Sequence, residues 1–241
     1  MKCLFFLFAF FMSFQVLAEL EIPARMSSMD RKKALEILGF SSSAKILGNP
    51  YPLGGYSGIE IGYTTEVIGT GELATLGAKA KSQSETSFSS LTLGKGLYNN
   101  VDLFLQFAPF TQAEEISNFG GQVRWGFYQA EYMPAHLSLV VYANSTSFQN
   151  KISTVSQGSD LVAGFSVQDL TLYTGIGMVR SIGTFFGGDG GVTDDGETAT
   201  EDVSSSHYLA GINIKFSKAF LAMQLDRYSQ STYSAKLGMR F

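Results

Sequence analysis

Residues 232–241 read TYSAKLGMRF, and they alternate without a break. Tyr233, Ala235, Leu237, Met239 and Phe241 fall on one face; Ser234, Lys236, Gly238 and Arg240 fall on the other. A period of two is the signature of a strand with one apolar and one polar face. The same alternation recurs upstream. Ile59, Ile61 and Tyr63 oppose Glu60, Gly62 and Thr64; Val101, Leu103, Leu105 and Phe107 oppose Asp102, Phe104, Gln106 and Ala108. Further strands are predicted near 89–97, 119–128, 136–144, 161–167, 170–180, 207–216 and 219–228, giving about ten, with eight or twelve as the alternatives. Tyr98-Asn99-Asn100 and Gln168-Asp169 are expected tight turns, because Asn tolerates left-handed backbone angles and two residues suffice for a hairpin. The connections alternate long and short. The stretches expected as long loops include 145–158 and Ser181–Ser205.

The polarity of the two faces decides what surrounds the strands. The apolar faces carry almost no charge, whereas the opposite faces carry Glu60, Asp102, Arg124, Lys215, Asp226, Lys236 and Arg240. An Arg or Lys at mid-bilayer costs about 2–4 kcal/mol, so these seven positions are expected to face a lumen and to pair there, Lys236 with Glu60 in particular. Tyr98, Tyr128, Tyr228, Tyr233 and Phe241 lie near strand ends, where an aromatic girdle belongs. The terminal strand ending on Phe241 resembles the closing strand of bacterial outer-membrane β-barrel proteins, whose terminal Phe is read by the barrel-insertion machinery. That resemblance implies an all-β, antiparallel, up-and-down transmembrane barrel with outer-membrane lipid and the insertion machinery as partners. Both termini are then expected in the periplasm, and the 181–205 loop outside the cell.

The start of the chain differs. Residues 1–18 carry Lys2, an apolar run from Leu4 to Met12 and a Val16-Leu17-Ala18 cleavage site, the pattern of a secretory signal peptide. Residues 19–54 form a second unit. Ser27 and Asp30 fit a capping box, and Ala34, Leu35, Ile37 and Leu38 make an apolar stripe with Gly39 as the expected stop. A short amphipathic helix over Ser28–Leu38 follows, then an extended connector through Pro50 and Pro52. This unit is expected as a periplasmic lid against the barrel mouth, with a luminal plug or a docking helix for a periplasmic partner as alternatives. The barrel occupies 55–241.

Composition narrows the chemistry. Cys3 is the only cysteine, which removes disulfides, thiolate metal sites and a cysteine nucleophile from the mature chain. The net charge of −4, without a basic cluster, argues against a nucleic-acid partner. His136 and Ser138 share a strand face, a spacing similar to the His and Ser of outer-membrane lipid A deacylases. Asp189, Asp194 and Asp195 in the acidic loop are weak candidates for a metal, and no cofactor motif is present. The sequence therefore predicts a barrel with a structural or surface-interaction role and at most a narrow pore. A small porin-like diffusion channel and a lipid hydrolase using His136 and Ser138 are the alternatives.

Overall fold

The computed structural model describes residues 20–78, 85–109 and 116–241. The expected signal peptide, 1–18, lies outside the described residues.

Ten antiparallel strands close into a barrel. They are β1 (Ile59–Gly69), β2 (Glu85–Gly96), β3 (Val101–Phe107), β4 (Ile116–Gln129), β5 (Ala135–Phe148), β6 (Ile152–Val167), β7 (Leu170–Phe185), β8 (Ala199–Phe216), β9 (Ala219–Arg227) and β10 (Ser231–Arg240). Each strand pairs with its sequence neighbour, and β1 closes on β10 with Glu60 opposite Arg240 and Thr64 opposite Lys236. Closure leaves the described strands without a free edge, so their ladder groups can pair without water. Phe241 exchanges two backbone hydrogen bonds with Ile59 just beyond the seam.

One end of the barrel carries tight turns. Asn99 and Asn100 both have φ 59°, Gln168 has φ 53° and Ser217 has φ 62°, the left-handed angles that two-residue hairpins demand. The other end carries the 70–84 and 108–115 connections, the 186–198 loop and two short links. The stretch 145–158, expected as a polar loop, is instead strand through Phe148 and again from Ile152, with a three-residue turn between. The 181–205 loop likewise shrinks, because β7 runs to Phe185 and β8 begins at Ala199. The physical reason is the outward face. Ser145, Ser147, Ser153, Gln157, Ser204 and Ser206 point away from the lumen but lie beyond the apolar belt, so the strands continue without the apolar alternation that marks a lipid-facing strand.

The belt itself is plain in the exposed side chains. Ile61, Leu93, Leu105, Val123, Trp125, Val141, Leu161, Ile176, Met223 and Leu225 all stand outward and exposed. An exposed apolar surface of this extent around a closed barrel is the lipid-facing wall of a membrane protein.

The 20–54 unit sits inside the barrel, the luminal-plug alternative and not the periplasmic lid. Helix α1 (Ser28–Ser41) buries Ala34, Leu35, Ile37, Leu38 and Phe40 against the inner wall, mainly β7, β8 and β6. Its N-terminus has the expected capping box: Asp30 N donates to Ser27 Oγ, and Ser27 N donates to Asp30 Oδ2. Gly39 does not stop the helix, which runs on to Ser41. Its use is close approach: a Cβ there would meet Ser181 Cβ at 3.0 Å and Leu35 Cδ1 at 2.9 Å. A lumen can be filled by side chains or by an inserted element, and here the glycine-rich wall leaves room for the element.

Candidate functional site

Among the described residues, the lumen is where buried polar chemistry gathers, and the segment from Leu20 to Leu53 runs its length. At the long-loop end, Gln149 Nε2 donates to Leu20 O, Met26 N donates to Val192 O, and Ala24 bridges to Ala78. At the short-turn end, Leu53 N donates to Asp102 and Ser138 Oγ donates to Pro50 O. Leu20 and Phe241 therefore lie at opposite ends of the barrel.

Three layers of charge fix the plug to the wall. In the first, Arg31 of α1 reaches Glu201 at 3.0 Å, Asp194 at 3.1 Å and Met26 O at 2.9 Å. Asp194 is thus an ion-pair partner of Arg31, and Asp195 accepts from Glu197 N; among the described residues no group of three His, Cys, Asp or Glu is placed to hold a metal. In the second layer, Lys45 donates to the Ser41 and Ser43 carbonyls, both at 2.7 Å, and pairs with Glu66 at 3.1 Å. Its ammonium thereby supplies the positive charge that the C-terminus of α1 lacks.

The same layer holds a second cluster. His207 sits between two carboxylates, with Nδ1 2.8 Å from Asp160 and Nε2 2.8 Å from Asp226. Asp160 and His207 lie on β6 and β8, and Gly177 of β7 stands opposite both. The missing side chain is what lets the imidazole cross β7 to reach Asp160; a Cβ on Gly177 would overlap Asp160 Oδ1. Tyr228 stacks on His207 with ring centroids 4.3 Å apart, and its hydroxyl shares a 2.7 Å hydrogen bond with Ser43 of the plug.

In the third layer, Glu60 is fully buried between Lys236 Nζ and Arg240 Nε, each at 2.6 Å. Arg124, 1% exposed, donates to the Ile46 carbonyl of the plug and lies over the Phe104 ring at 3.9 Å. Asp102 faces Arg124 across the β3–β4 pair but accepts from the Leu53 amide of the connector. Of the seven charges expected inside, Lys215 joins no ion pair among the described residues: it is exposed at the short-turn mouth. Neutral contacts complete the attachment. Asn118 and Asn144 both donate to Ser42 O, Gln122 to Lys45 O, and Gln224 Oε1 accepts from Leu47 N.

His136 and Ser138 share the inward face, and each meets the connector segment. The Ser138 hydroxyl is spent on Pro50 O, and the His136 ring lies edge-on to Tyr51 with Nε2 buried and unpartnered. Nucleophilic activation needs a serine–imidazole hydrogen bond and an orienting carboxylate, and neither is formed among the described residues.

Sequence reasoning missed Lys45, Glu66, Arg31, Glu201, Asp160 and His207. For His207 and Asp160 a signal was present: both continue the inward parity of their strands, with His207 two and four residues before Leu209 and Gly211. For Lys45 and Arg31 no pattern in the chain indicates that a helix enters the barrel.

A closed ten-stranded barrel with an exposed apolar belt and a charged, filled interior is a transmembrane β-barrel of the bacterial outer-membrane kind. No helix among the described residues is long and apolar enough to cross a membrane. No known protein family matches the sequence, and no curated protein does. Similar solved structures include the N-terminal β-barrel domain of Pseudomonas aeruginosa OprF, at 12% identity, covering 78% of this chain and 99% of that one, TM-score 0.39. Others are the attachment invasion locus protein Ail of Yersinia pestis (15% identity, 76% and 97% covered, TM-score 0.33) and Acinetobacter baumannii Omp33 (6% identity, 79% and 98% covered, TM-score 0.33).

Proposed function

We propose that this protein is a non-enzymatic outer-membrane barrel that is held shut by its own N-terminal segment and works through the surface at its long-loop end. The observation that carries this reading is the passage of residues 20–53 through the whole lumen, pinned in all three charged layers. Burial sets how firmly it is held. Leu35, Ile37, Leu38 and Phe40 are each no more than 1% exposed. At about 1.5–3 kcal/mol for each side chain, these four alone contribute roughly 6–12 kcal/mol. A plug held that strongly is a structural part of the barrel rather than a mobile gate, which disfavours the diffusion-channel reading.

In this reading the long-loop end faces the exterior and the short-turn end, with Phe241, faces the periplasm, the arrangement common to outer-membrane barrels. The polar extensions of β5 to β8, the 186–198 loop and the chain near Leu20 then form the outward surface.

The test is conductance in planar bilayers. The intact protein should show no stepwise conductance, and a chain lacking residues 20–53 should form open pores or fail to close. Stable ion conduction by the intact protein, unaltered by that deletion, would overturn the reading.

A further inference from the structure

The plug does not fill the barrel evenly. Its connector leaves along one side of the short-turn mouth: Leu53 bonds to Asp102 of β3, Pro52 packs on Gly126 of β4, and Pro50 and Tyr51 meet Ser138 and His136 of β5. The opposite half of the mouth, under β6 to β10, is left as a cavity of about 430 Å³. That size lies within the range of small-molecule sites, about 300–1,000 Å³.

Its walls combine the apolar Leu53, Phe220 and Phe241 with a set of polar groups. Hydroxyls come from Ser166 and Thr171, an amide from Asn213, and cations from Lys215 and Lys218 of the β8–β9 hairpin. Asn213 is 5% exposed, and its side-chain oxygen is buried without a partner. Ser166 and Thr171 hydrogen-bond each other at 2.9 Å, so each hydroxyl pair keeps acceptor capacity for a ligand.

Three cations of the wall face two anions. Lys215 and Lys218 form no ion pair among the described residues, and the third cation, Arg240, is held by Glu60. The anions of the lining are Asp169 on the facing turn and the α-carboxylate of Phe241. Lys218 Nζ lies 5.2 Å from the centroid of the Phe241 ring, which places an apolar ring face beside an ammonium at the rim.

The geometry points to a ligand site here, and the class that fits is an acidic sugar. A carboxylate would be taken by the Lys215 and Lys218 ammoniums, ring hydroxyls by Ser166, Thr171 and Asn213, and the apolar face of the pyranose by Phe241. The site is independent of whether the plug stops ion flow, since the cavity lies beside the connector and not along it.

The experiment is a calorimetric titration of the full-length refolded barrel in an uncharged, non-glycosidic detergent, with glucuronate, glucose and inorganic phosphate as probes. Glucuronate should bind saturably, and glucose at least about tenfold more weakly, since it lacks the charge-assisted hydrogen bonds. A Lys215→Ala, Lys218→Ala double variant should lose the same factor, and the Lys215→Arg, Lys218→Arg variant should retain binding, which separates lost charge from lost fold. Equal binding of glucose and glucuronate, unchanged binding in the alanine variant, or phosphate binding as tight as glucuronate would each overturn the assignment.

Discussion

Replacing Glu60 by alanine removes the carboxylate that holds both Lys236 and Arg240 at 2.6 Å. Lys236 is 1% exposed, and Glu60 is its one ion-pair partner among the described residues. Taking away one member of a buried pair leaves an uncompensated charge, at a cost of about 3–5 kcal/mol. Lys236→Ala should cost less, about 1.5–3 kcal/mol, because Glu60 keeps Arg240 and loses one charged hydrogen bond. In the double variant the stranded ammonium is gone, and the Arg240 side chain, 22% exposed, can reach water at the mouth. The double loss should therefore fall short of the sum by about 2 kcal/mol or more. Urea unfolding of the refolded barrel measures this directly, since the single tryptophan, Trp125, stands on the lipid-facing wall and its emission reports leaving the belt. Additive losses, or a Lys236→Ala variant costlier than Glu60→Ala, would refute the assignment of Glu60 as the centre of the lower charge layer.

Gly177→Ala should destabilise the barrel by about 1–3 kcal/mol, because the new methyl overlaps Asp160 and forces His207 off its bridge; the gel shift between unboiled and boiled samples at rising temperature reads the loss. Ser27→Ala removes one half of the capping box and should cost about 0.5–2 kcal/mol in the same urea assay, with no change in conductance. An epitope placed just before Leu20 should be detected by antibody on intact cells, while one after Phe241 should need the outer membrane opened; the reverse pattern would invert the proposed orientation.

The strands were legible because lipid on one side and a polar interior on the other enforce a period of two. Where lipid stops, so does the signal. Residues 145–158 read as a loop because Ser145, Ser147, Ser153 and Gln157 face outward above the belt, and an all-polar strand has no periodic mark. The inward charges were visible from the same parity, and Glu60 and Lys236 meet because barrel closure makes β1 and β10 neighbours. Lys215 shares that parity but lies too near its turn to be enclosed. The plug was legible only as one alternative among three. Its apolar stripe fits a helix against any surface, and the groups that hold it in the lumen, such as Asn118, Asn144 and Gln224, are ordinary inward polar residues until a backbone comes to meet them.

The course of residues 20–53 also constrains how the molecule is assembled. The contacts that seat this segment join positions far apart in the chain, Asn49 to Arg240 across 191 residues and Leu47 to Gln224 across 177. The seam between β1 and β10 is equally remote, with Glu60 and Lys236 176 residues apart. Pushing the segment into a finished ring would drag Arg31, Lys45 and Phe40 past a wall that fits them closely, each stripped of water before reaching its partner. Wrapping the sheet around a rod already in place has no such barrier, so a chain lacking the segment is expected to insert slowly and to leave its β1–β10 seam prone to reopening.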